Sequence, residues 1–159
     1  MANEECYALN GWHNGFSIWR HGEAMANLAI ELRTVLLTRL RECEAFSNGV
    51  AGRIADQERN DYPFAWVAVT QSAERPELLA TVHVWIREGQ TAAAQLVQTA
   101  LAALRDAPSI ENASITSWSP CHSEVRYDDN HEAQHGIARF SAEIVDRTGP
   151  SSTPDQQPS

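Results

Sequence analysis

The sequence predicts an α+β domain of two layers, an antiparallel sheet of four to five strands with two helices packed on one face. Three observations carry this. Two segments, starting near Glu23 and Thr91, repeat apolar residues every three or four positions, the period of a helix with one buried stripe. Other segments, rich in Val, Ile, Phe and Trp, alternate with period two, as half-buried strands do. The order is helix, two or three strands, helix, two strands, and each helix has a single stripe to bury against one sheet face.

Residues 1–21 hold Trp12, Phe16, Ile18 and Trp19 among polar residues and glycines, without periodicity. They read as an N-terminal arm whose aromatics dock elsewhere, because a disordered leader is poorer in such residues. The domain proper is expected over 22–147. Its first helix puts Leu28, Leu32, Val35, Leu36, Leu40 and Cys43 on one stripe. "SNG" at 47–49 should end that helix, since Asn and Gly accept the left-handed conformation. "GRIAD" (52–56) is a short candidate strand. "YP" then leads into "FAWVAV", "QSAERPE" forms a hairpin loop, and "LLATVHVWIR" (78–87) is the clearest strand. On it Val82, Val84 and Ile86 face one way, and Thr81, His83, Trp85 and Arg87 the other.

The second helix buries Ala93, Val97, Ala100, Leu101 and Leu104, with Thr91 as candidate N-cap and Asp106-Ala107-Pro108 as its stop. "ASITSW" and "EVRY" read as one strand interrupted at Pro120. "GIARFSAEIV" (136–145) is the last, with Phe140, Ala142 and Ile144 opposite in direction to Arg139, Ser141 and Glu143. The final 148–159 contain three prolines and no large apolar residue, the composition of a disordered tail.

With 159 residues and 43% apolar content, one domain with a real core is expected. The 21 acidic residues outnumber the 12 basic ones, for a formal charge of −9. A tightly held nucleic acid needs a basic footprint, so that partner class is disfavoured. Three scattered cysteines, Cys6, Cys43 and Cys121, suggest no disulfide framework and suit a reducing interior. The acidic start lacks the apolar run of a signal peptide, and no window has the apolar length of a membrane span. Tryptophans on an uncovered sheet face usually mark a partner surface. Trp66, His83, Trp85 and Trp118 are therefore the candidate assembly residues, joined by Trp12 and Trp19 of the arm, which could equally fold over that face.

"HEAQH" (131–135) invites a zinc-peptidase reading, which needs both histidines one helical turn apart with the glutamate as base. Here a turn-forming "YDDN" precedes His131, and Gly136 opens a strand. On a strand His131 and His135 would stand about 13 Å apart. A looser set of Cys121, His122, His131 and His135 matches no standard zinc spacing and has one thiolate. Asp128 and Asp129 are turn residues. The sequence shows no phosphate-cradling glycine loop, dinucleotide fingerprint or strand-elbow-helix serine. No catalytic residue, cofactor or metal is assigned.

"GRIADQ", "YPFAWVAV", "TVHVWIREGQTAAAQLVQTALAALRDAP" and "HGIARFSAEIV" together resemble the tail-completion, or tail-terminator, family of long-tailed bacteriophages and phage-like gene transfer agents. The likeness runs from about Ala24 to Asp146. It is strongest where a strand centred on "HVW" leads into an alanine-rich helix ending in "L-x-D-A-P". The N-terminal arm is extra and the 71–77 loop is shorter than usual in the family, which puts the ring contacts in question. The resemblance implies a structural virion protein assembled in the host cytoplasm. It would form a hexameric homo-oligomer at the head-proximal end of the tail tube, ending tube growth and docking the head-side connector or stopper. It also implies DNA passing through without specific binding, no reaction and no membrane partner. If so, some of the acidic excess should line the bore, where it repels phosphates. The competing readings are another neck ring, such as a head-side connector, and a small zinc hydrolase using "HEAQH".

Overall fold

A computed structural model describes residues 24–72 and 74–146. The expected arm and tail, and with them Trp12 and Trp19, lie outside the described residues. Helix α1 (24–42) buries Leu28, Leu32, Leu36, Leu37 and Leu40, close to the predicted stripe. It does not run on to Gly49. Cys43 breaks it with extended backbone (φ −78°, ψ 99°), and a short helix α2, Glu44–Gly49, follows. The left-handed residues are not Asn48 or Gly49 but Ala51 and Gly52, at φ 52° and 71°. Gly52 N–H closes the turn by donating to the Ser47 carbonyl at 2.7 Å. Gly49 serves a different end: a Cβ there would run into the Leu96 side chain, so its absence lets the next helix pack close.

The strands are β1 (Ile54–Ala55), β2 (Phe64–Gln71), β3 (Glu77–Ile86), β4 (Ala113–Asp128) and β5 (Ala133–Asp146), with helix α3 (Gln90–Ala103) between β3 and β4. They form one five-stranded sheet in the order β1-β2-β3-β5-β4. Four of them pair antiparallel as expected, but β1 lies parallel to β2, so the sheet is mixed. Arg53 holds that arrangement. It donates to the carbonyls of Tyr62 (3.2 Å) and Pro63 (3.4 Å) and pairs with Asp61 at 3.3 Å, folding residues 56–63 back on the sheet edge.

Helix α3 starts one residue earlier than the predicted cap. Gly89 (φ 122°) is its N-cap, a position only glycine occupies without strain, and Thr91 lies inside the helix. Its stripe of Ala93, Val97, Ala100 and Leu104 is buried, with Leu96 beside it, while Leu101 is only half-buried. Gly136 of β5 takes Val97 against its backbone, since an added Cβ would lie 2.6 Å from a Val97 methyl. Strand β4 is continuous through Pro120. Its register shifts between Ile115 and Ser117 and between Pro120 and His122, the bulges that let an edge strand carry a proline.

The main core lies between the helices and one sheet face, built from Leu32, Leu36, Leu40, Phe46, Val67, Leu78, Val82 and Phe140. A second, smaller cluster occupies the other face, with Phe64, Trp85 and Ala133 buried and Tyr62 and Trp66 packed on them.

Candidate assembly surface

The face away from the helices carries a ladder of flat rings, and strand register explains it. Directly opposed residues in a sheet point the same way. Trp66 opposes His83, Phe64 opposes Trp85, and Trp85 opposes His135. The rings stack accordingly: Trp66 on His83 (centroids 4.3 Å, 11°), His83 on His135 (5.2 Å, 18°), His135 on Trp85 (3.9 Å, 5°). His131, in the β4–β5 turn, covers the other side of Trp85 at 4.2 Å, tilted by 39°.

His83 Nδ1 and His135 Nε2 lie 2.9 Å apart. That bond needs one proton between two nitrogens, one ring donating and the other accepting. His135 Nδ1 is buried without a partner. A buried N–H left unbonded costs more than a bare lone pair, so we assign the proton to His135 Nε2, which donates to His83 Nδ1. Burial lowers the pKa of His83 to about 4, helped by the charges of His135 and Arg139. Burial likewise lowers His135 to about 4, with Arg126 next in weight, against the opposing pull of Asp128 and Glu124. The indole N–H groups of Trp66 and Trp85 are also buried without a partner.

His131 is clamped. Its Nε2 lies 3.2 Å from Glu58 and its Nδ1 3.1 Å from Asp128. Asp128 also accepts the His131 backbone N–H at 3.0 Å, and these bonds hold its carboxyl below the usual carboxylate range. The clamp ties residues 56–62 to the β4–β5 turn over the edge of the ring ladder. "HEAQH" is therefore turn running into strand: His131 precedes Glu132, which is left-handed at φ 49°, and His135 belongs to β5. The two histidines point to different partners. His122 opposes Arg139, four residues along β5 from His135, and sits 3.6 Å from Glu124. Among the described residues no group of three or more His, Cys, Asp or Glu is placed to hold a metal.

The predicted residues thus divide. Trp66, His83 and Trp85 do come together, but the face is not bare at its centre, because Trp85 is 4% exposed and His135 6%. Trp118 is on the other side of the sheet. It stacks on Phe140 (4.8 Å, 6°) and donates its Nε1 hydrogen to the Leu104 carbonyl at 2.7 Å, as part of the main core. The bulge between Ile115 and Ser117 resets which β4 residues face the helices, and a sequence pattern does not reveal such a reset. His135 and Phe64 were missed as members of the ladder. The signal for His135 was its register opposite Trp85, which follows only once β3 and β5 are known to be neighbours.

The family model for tail completion protein gp17 matches residues 34–144. A chain in the virion of a native gene transfer agent particle superposes with a TM-score of 0.59 at 12% identity, covering 73% of this chain and 96% of that one. The gp17 protein of bacteriophage SPP1 superposes with a TM-score of 0.54 at 18% identity, covering 77% and 94%. At these identities the likeness is one of fold. No curated protein matches the sequence.

Proposed function

The chain belongs to the tail completion protein gp17 family, and from that premise we propose that it closes into a homo-oligomeric, hexameric ring on the head-proximal end of a tail tube. There it ends tube polymerisation and presents a docking surface to the head-side connector or stopper. As a tail structural protein it acts by shape and contact, and the proposal gives it no reaction and no cofactor. It takes its place in the particle after folding in the host cytoplasm.

The observation that carries this reading is the family match over 34–144, which runs from within α1 to within β5. The ring ladder fits a part that is built to be held rather than to turn over. Its polar atoms are directed into the fold, and its histidines are spent on each other and on carboxylates. No helix among the described residues is long and apolar enough to cross a membrane. A bore carrying part of the acidic excess would let DNA slide past without a basic brake.

The test is tube growth. Tail tube subunits polymerising in the presence of the chain should stop at a length set by the ratio of the two proteins, with the chain at one end. Tubes that grow equally with and without it would refute the reading.

A further inference from the structure

Resting on that ring reading, we propose that Arg139, on the sheet face away from the helices, receives a carboxylate side chain of a second copy. Strand register places it. Arg139 opposes Thr81 on β3 and His122 on β4, so it points to the same face as the ring ladder. Its Nε donates to the Thr81 hydroxyl at 3.1 Å, and Thr81 is 6% exposed. That bond anchors the guanidinium to the sheet. It leaves the two Nη groups, the end of the fork that grips both oxygens of a carboxylate.

The charges on this face leave Arg139 unmatched. Its cationic neighbours on β4, His122 and Arg126, share one carboxylate, Glu124, at 3.6 and 3.9 Å. Glu77, further along β3, is bonded to Ser141. Among the described residues no carboxylate lies within ion-pair distance of Arg139. The arginine is nonetheless half-buried, and its charge is felt at His83, where it acts against protonation behind burial and His135. Trp66, Ala68 and Leu79 stand half-buried on the same face around it. Such an apolar rim keeps water from a pair formed at its centre and strengthens that pair.

The occupant follows from sign. With 21 acidic against 12 basic residues, two copies repel as they approach unless a cation of one meets an acid of the other. The chain's own surface supplies that acid in excess. A closing ring joins two unlike patches, and a cation in an apolar rim against an acidic surface is such a pair. One arginine on so acidic a chain is too small a footprint for nucleic acid.

Two variants test the contact. Arg139→Gln removes the charge, and Arg139→Lys keeps the charge but loses the fork. Assembly is followed by sedimentation velocity over a concentration series, at about 0.05 M and about 0.5 M sodium chloride. Circular dichroism and urea unfolding check the fold. Wild type should need more protein to assemble at the higher salt. Arg139→Gln should raise the assembly concentration on the order of tenfold or more and lose the salt dependence, the effect of removing a charged interface anchor. Arg139→Lys should fall between, with the salt dependence kept, and it carries the test alone if Arg139→Gln does not fold. A wild type that assembles while both variants assemble equally well overturns the contact and leaves the ring standing. Folding stability lost in Arg139→Gln with assembly unchanged puts the carboxylate inside the same chain and overturns it too. Variants that assemble normally but no longer join tail tubes give the site to the tube protein, against a second copy. A wild type that stays monomeric at every concentration and beside tail tubes overturns both the contact and the ring.

Discussion

The His83–His135 pair makes the fold sensitive to mild acid by an amount the structure sets. In the unfolded chain each ring takes up a proton near pH 6.5; in the native ladder each does so only at about 4. Above 6.5 neither state is protonated, and the pair contributes its full stability. Between 6.5 and 4 the unfolded state binds more protons than the native one, so stability falls as pH falls. Below 4 both states are protonated and the loss is complete. Two and a half pH units at 1.36 kcal/mol each set a ceiling of about 3.4 kcal/mol for one histidine. His83 is partly open to solvent and part of its shift comes from the charge of His135, so the pair together is worth about 3 kcal/mol rather than twice the ceiling. Urea unfolding followed by tryptophan fluorescence at pH about 7.5 and about 4.5 measures it. Asp128 and Asp61, whose carboxyls are held below their ordinary values, lose their contributions at lower pH, outside this window. Replacing both histidines with phenylalanine keeps the ring stack and should flatten the difference. An equal pH dependence in wild type and double variant, or none in the wild type, would refute the reasoning.

Other outcomes follow from the packing. Gly136→Ala should cost about 1–3 kcal/mol in thermal or urea unfolding, because the new methyl meets Val97 at 2.6 Å and α3 must shift. Trp85→Ala should cost about 3–5 kcal/mol of folding stability, since the indole is buried between His135, His131 and Phe64. The same change is therefore a poor probe of assembly. Trp118→Phe keeps the stack on Phe140 and removes the bond to Leu104, for a loss of about 1 kcal/mol.

Much of this fold was legible because its periods are clean. On α1 and α3 the apolar stripe repeats at helical spacing, and on β3 the alternation from Leu78 to Ile86 separates core from opposite face without ambiguity. What escaped were features set by tertiary geometry. Parallel β1 has only two residues, too few for a period, and depends on the contacts of Arg53 with Tyr62, Pro63 and Asp61. The break at Cys43 lies inside an unbroken apolar pattern, because Phe46 on α2 continues the burial. Trp118 was placed on the wrong face since bulges shift register without changing composition. The ladder itself was half visible: Trp66, His83 and Trp85 share a face by alternation alone. Their burial required His135 and His131 from the next hairpin, and those had drawn notice only as a zinc string.

The central claim is that copies of this chain close on one another. Native mass spectrometry of the purified protein, alone and with tail tubes, tests it most directly. The account predicts a discrete species at six times the 17.6 kDa subunit mass, with no ladder of larger open polymers. A single 17.6 kDa species under all of these conditions would contradict it.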